Sequence, residues 1–261
     1  MSRARKENYR LAPNELHALL DKIQEDYKQN KAFAVDEGFV EVKNSQHSLN
    51  QQVNYFSVQP SDHNDKRQFI VFRINKDAAS LDNENQLPYV GEVLRNFLKE
   101  NKYKNAMLLI PLRQCRDFGK VNFLKKARRQ HIILLEVDLS ARTIVAHDSQ
   151  SKTRYRFYPD KLKDIAKELG FRYDSARDYR AYNTQKNETL CGWFVRHYII
   201  DILEKGNSQH LDKIVLRESD YANKEEYLKK CIPNWVSQSE EHQGDHEISE
   251  DEDHWNRLDG V

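Results

Sequence analysis

Cys191 is followed by Gly192 and then by Phe194, Val195, Tyr198, Ile199, Ile202 and Leu203 at helical spacing. The stripe predicts a helix over 192–203 with the sulfur at or just before its N-terminus. Backbone N–H groups and the positive end of the helix dipole favour a thiolate there. The thiolate is the form in which cysteine acts as a nucleophile. Such a group needs a base, and His131 opens a strand-like run while Asp148, seventeen residues on, closes another. Gln185 stands six residues before Cys191. From there its amide can reach a developing oxyanion, with the backbone N–H of Cys191 as second donor. These residue types in this order point to acyl transfer through a cysteine.

The pairing of His131 with Asp148 depends on a hairpin. His131-Ile-Ile-Leu-Leu-Glu-Val-Asp-Leu and Thr143-Ile-Val-Ala are both strand-like and meet around Ser140-Ala141-Arg142. A turn on Ser140-Ala141 makes opposed positions sum to 281, so Asp148 faces Ile133 and shares a face with His131 as its diagonal neighbour. Diagonal neighbours lie about 7–8 Å apart at the backbone, a gap that side chains close. A carboxylate in that position orients the imidazole and stabilises its charged form. His147, adjacent to Asp148, points to the other face. One residue more or less in the turn would reverse the parity.

The elements that must hold these groups are legible around them. Residues 13–30 predict a helix, with Pro13 in its first turn and Leu16, Leu19, Leu20, Ile23 and Tyr27 on one side. Residues 34–75 carry three strand-like runs, from Gly38, Val53 and Phe69, and residues 76–88 read as loop. A helix follows, with Val90, Val93, Leu94, Phe97 and Leu98 on one face. A strand from Ala106 to Leu112 is then stopped by Pro111. Further helices are expected over 159–169 and 223–230. The order predicts an α+β fold, a mixed or antiparallel central sheet flanked by helices. Residues 1–80 read as an N-terminal helix-plus-strand region able to grip a substrate, 81–235 as the catalytic domain, and 236–261 as a disordered acidic tail.

Composition narrows the function. The 261 residues are 38% hydrophobic and 32% charged, yet hold 11 Phe, 13 Tyr and 3 Trp, which excludes a wholly disordered chain. Apolar runs such as Ile132–Leu135 are too short to span a membrane. No hydrophobic stretch follows the basic start, so no signal peptide is expected. Val236–Val261 holds nine acids and one base, leaving the rest at +9. The bases are scattered and match no nucleic-acid-binding signature. Three well-separated cysteines fit a reducing compartment and form neither a disulfide scaffold nor a zinc cluster. Cys115 and Cys231 lack a helix-start context and read as structural. A papain-type arrangement would need its histidine some 130–150 residues beyond the cysteine, but 70 residues follow Cys191. No Gly-x-Ser-x-Gly is present for serine catalysis.

The runs from His131, from Ile144-Val-Ala-His-Asp148-Ser149 and from Gln185 through Cys191-Gly192-Trp-Phe-Val resemble the ubiquitin-like-protein proteases of the adenain clan (clan CE). That group includes the SUMO proteases and bacterial effector deubiquitinases. The resemblance covers about residues 88–205. It implies His131 as general base, Asp148 as its orienter, Gln185 as oxyanion donor and Cys191 as nucleophile. It implies a cysteine isopeptidase, without cofactor or metal, that acts on ubiquitin or ubiquitin-like conjugates after a C-terminal Gly-Gly. Two features depart from the SUMO proteases: Ile132 replaces an aromatic residue after the histidine, and Leu190 replaces an acid before the cysteine. Bacterial members, whose flanking residues vary, fit better. Two other functions suit the same residues. A YopJ-type acetyltransferase shares the His–acid–Cys logic, though that group generally uses Glu where this chain has Asp148. An idle module could keep the fold to hold a modifier, but four intact residues stand against that. A cytoplasmic protein is expected. The acidic tail loosely resembles the C-terminal signals of type IV secreted effectors, which would place it in a host cytosol.

Overall fold

Strand alternation and helical spacing produce elements close to those read above. The computed structural model describes residues 11, 13–43, 50–61, 67–73, 86–100, 103–115, 130–150, 158–184, 190–217, 221 and 224–231. The chain runs α1 (Pro13–Gln29), β1 (Phe33–Lys43), β2 (Asn50–Pro60), β3 (Gln68–Phe72), α2 (Gln86–Lys99), β4 (Ala106–Cys115), β5 (Gln130–Asp138) and β6 (Thr143–Asp148). It continues with α3 (Tyr158–Leu169), β7 (Tyr179–Ala181), α4 (Cys191–Lys205), a 3₁₀ turn (Leu211–Lys213) and α5 (Lys224–Cys231). The seven strands form one sheet in sequence order. Neighbours are antiparallel except β3–β4 and β6–β7, which are parallel. Parallel neighbours need a crossover, and α2 and α3 lie in those two connections. The fold is α+β with a mixed sheet.

Both faces of the sheet are buried. Phe69 and Val71 of β3 join a core with α1, α4 and α5, while Ile70 and Phe72 join another with α2 and α3. In β5, Ile132 and Leu134 face the first core and Ile133, Leu135 and Val137 the second. A sheet covered on both sides reads as continuous apolar runs rather than clean alternation. The strands of the N-terminal region therefore extend the same sheet as the later ones. Residues 74–85, where its boundary was expected, and the acidic tail lie outside the described residues. Gly38 pairs with Tyr55 across β1–β2, and a Cβ on it would lie 2.3 Å from the Tyr55 hydroxyl.

Pro111 does not end β4, which runs on to Cys115. The β3 ladder reaches only Leu109, so beyond it, among the described residues, β4 is paired on one side alone, with β5. A proline is tolerated where a strand has an open edge. The β5–β6 turn is built locally: Asp138 Oδ1 accepts hydrogen bonds from Ser140 Oγ (2.8 Å) and the Ala141 N–H (2.9 Å), and Arg142 takes a φ of 51°. The register that results, Leu134↔His147 through Asp138↔Thr143, sums to 281 at every pair, as the turn on Ser140-Ala141 requires.

Candidate active site

The hairpin register puts Asp148, last in β6, on the same face of the sheet as His131, second in β5. The His131 Nε2 lies 2.7 Å from Asp148 Oδ1. The carboxylate can only accept, so Nε2 carries the hydrogen and Nδ1 is the nitrogen left for a second partner. Asp148 is fully buried and takes three hydrogen bonds. Its Oδ1 also takes the Gln150 N–H (2.8 Å), and its Oδ2 takes the Tyr179 hydroxyl (2.6 Å). Tyr179 is the member that sequence reading missed. It lies in a three-residue strand, too short to show a period, and reaches Asp148 only because β7 pairs with the end of β6.

Cys191 is the first residue of α4. Its N-cap is Leu190, which makes no side-chain cap hydrogen bond. Gly192 permits a close approach: a Cβ there would lie 3.1 Å from Leu11 Cβ. Leu11 thus packs against the helix tip. Helix α4 packs on β5 from the face opposite to Ile133, and the thiol meets the imidazole at the end of the sheet where β5 begins and β6 finishes. Cys191 and Asp148 both act on the His131 ring.

Burial is the largest influence on His131 and by itself favours the neutral ring. The hydrogen bonds to Asp148 and Cys191, and the charges of both, outweigh it, and the pKa is pushed up to about 9. The ring is therefore an imidazolium at neutral pH. A buried cation beside a sulfur at a helix N-terminus stabilises the thiolate.

The structure brings together His131, Asp148 and Cys191. Gln185 lies outside the described residues, between Thr184 and Leu190. His147 points to the opposite face of β6, where it meets Glu136 and Tyr182. The two departures from the SUMO-protease pattern, Ile132 and Leu190, are both 5% exposed and lie in the core beneath α4. Their apolar character is a packing requirement. Trp193, Phe194 and Tyr198 are likewise buried. Cys115 closes β4 and Cys231 closes α5. Among the described residues no group of three or more His, Cys, Asp or Glu side chains is placed to hold a metal ion. No helix among them is long and apolar enough to cross a membrane.

No protein-family model and no curated protein matches the chain. Among solved structures it is similar to the Legionella pneumophila effector protein RavZ, with a TM-score of 0.49 and 13% identity over 87% of this chain and 65% of that one. It is also similar to RavZ in complex with human LC3B, with a TM-score of 0.42 and 14% identity over 87% and 61% of the two chains. A third is ChlaDub1 from Chlamydia trachomatis, with a TM-score of 0.34 and 13% identity over 55% and 68%. The chain spans just under two thirds of the length of these RavZ structures.

Proposed function

We propose that the chain is a cysteine isopeptidase that cleaves after the C-terminal Gly-Gly of ubiquitin or a ubiquitin-like modifier. The observation that carries the reading is the buried His131–Asp148 pair, 2.7 Å apart, with the Cys191 sulfur close enough to act on the same ring. The Cys191 thiolate attacks the carbonyl carbon of the terminal glycine. The charge that develops on the oxygen is met by the Gln185 amide and the Cys191 backbone N–H. His131 then gives its Nδ1 proton to the departing lysine amine as the C–N bond breaks and a thioester forms. Water attacks the thioester, His131 takes up the water's proton, and the modifier leaves with a free carboxylate. Asp148 holds the tautomer and stabilises the imidazolium throughout. The burial of all three side chains favours a tail of glycines, which lack the Cβ that would clash in a narrow approach.

In this reading residues 81–235 carry the chemistry, the region before residue 80 holds the modifier, and residues 236–261 serve delivery into a host cytosol. The test is covalent capture by modifiers bearing a reactive C-terminus: ubiquitin, SUMO and an autophagy-type modifier such as LC3B. Wild type is expected to form an adduct with at least one of them and Cys191→Ala with none. Labelling of Cys191→Ala to the wild-type extent would overturn the assignment.

A further inference from the structure

A second histidine–carboxylate pair sits directly behind the first. His147 Nε2 lies 2.9 Å from Glu136 Oε2, and His147 Nδ1 lies 2.6 Å from the Tyr182 hydroxyl. The carboxylate accepts, so Nε2–H donates to Glu136, and Nδ1 shares a hydrogen bond with the Tyr182 hydroxyl. His147 is fully buried and Glu136 is 7% exposed. Burial pushes the Glu136 carboxyl up. The hydrogen bond and charge of His147, a hydrogen bond from Ser208 and the Arg180 charge bring it below its ordinary range, so it stays ionised. The Tyr182 ring stacks on His147 at 6.0 Å, and Tyr198 of α4 meets both rings edge-on.

An ionised group in a sheet core is expensive to keep, and apolar side chains of similar volume often serve stability as well or better. The position of the network says what it holds. The Tyr182 N–H donates to the Asp148 carbonyl at 2.8 Å. Residues 146–148 of β6 pair with Tyr179–Ala181. Tyr179 holds the Asp148 carboxylate from one face of β6, and Tyr182 holds the His147 ring from the other. Tyr182 also stands three residues before Gln185 on the segment that leads into α4.

We propose that Glu136, His147 and Tyr182 form a positioning network for the acyl-transfer site: they pin the end of β6 to the segment entering α4, so that Asp148 is held on His131. The purpose of the network rests on the function proposed above, but its effect on His131 does not need a substrate to be measured. Tyr182→Phe keeps the ring, the stack and the backbone N–H, and removes only the hydroxyl. His147→Gln retains groups able to bridge Tyr182 and Glu136, whereas His147→Ala does not.

Three readouts separate positioning from simple stability: the NMR titration of His131, the pH dependence of iodoacetamide alkylation at Cys191, and the kcat and KM for a C-terminally activated ubiquitin-like substrate. In Tyr182→Phe and His147→Ala the His131 midpoint is expected to fall by about one pH unit, a tenfold loss of imidazolium stabilisation. The pH profile of alkylation should move with it. The kcat should fall about tenfold with KM unchanged, and His147→Gln should recover part of each change. A lowered melting temperature with His131 titrating as in wild type would overturn the proposal, as would equal behaviour of His147→Gln and His147→Ala. If wild type consumes no modifier while the His131 midpoint still moves, the isopeptidase reading fails and the positioning network stands. If wild type turns over a modifier and the variants match it in all three readouts, the network fails alone.

Discussion

Replacing Asp148 with Asn removes one charge while leaving shape and hydrogen bonding largely intact, and the structure says why. Oδ1 receives two donors, His131 Nε2–H and the Gln150 N–H, whereas Oδ2 receives only the Tyr179 hydroxyl. An asparagine therefore settles with its oxygen at the Oδ1 position and its NH₂ toward Tyr179, whose hydroxyl can turn to accept. The His131 tautomer survives. What is lost is the carboxylate that offsets the burial of the imidazolium. Burial is the largest influence on the ring, so without Asp148 its pKa should drop from about 9 to the ordinary 6.5 or below. That fall corresponds to about 3 kcal/mol and to a loss of about 10²–10³ in kcat/KM at neutral pH. It is smaller than the roughly 10⁴ loss expected when the wrong tautomer is forced. The assay is kcat/KM between pH 5 and 10 with a fluorogenic modifier C-terminus, alongside the NMR titration of His131. Wild type should keep its imidazolium until about pH 9, and the variant should lose it by about 6.5. A rate within threefold of wild type would refute the electrostatic reasoning. A 10⁴ loss accompanied by a reversed tautomer would refute the argument from the three donors.

Tyr179→Phe deletes a 2.6 Å hydrogen bond to a buried carboxylate. It should destabilise the fold by about 1.5–3 kcal/mol in urea melts and lower the His131 midpoint. An unchanged urea midpoint would remove Tyr179 from the site. Stability should also depend on pH through His131. Its folded pKa is raised, so its contribution is fully present below about 6.5 and is lost as pH rises through about 9. Urea midpoints should therefore fall across that window more steeply in wild type than in Asp148→Asn, and parallel slopes would contradict the assignment. Gln185→Ala should reduce kcat by roughly 10²–10³ while sparing alkylation of Cys191. Unchanged kcat would exclude the amide as the oxyanion donor.

Much of the fold was written locally. Helical spacing marks α1, α2, α3 and α4 to within a few residues, and α4 begins at Cys191 itself. The β5–β6 register is set by a short turn whose Asp138 side chain organises it. From a turn on Ser140-Ala141, the shared face of His131 and Asp148 followed by arithmetic. Local signals failed where pairing is distant. Pro111 reads as a strand stop unless one knows that β3 has already ended beside it. Tyr179-Arg-Ala has no period to detect.

The amino-acid order by itself determined which side chains can do chemistry and the elements that carry them, because turn chemistry and hydrophobic period act over a few residues. The tertiary structure alone decided that the imidazole of β5, the carboxylate of β6, the hydroxyl of β7 and the sulfur of α4 share one buried place. It alone decided that the ring is held as a cation there, because that charge is the difference between burial and contacts with residues far along the chain. It also decided that His147, on the face opposite to Asp148, meets a different acid. Adjacent residues of a strand part to opposite faces, and only the packing of each face determines what they meet.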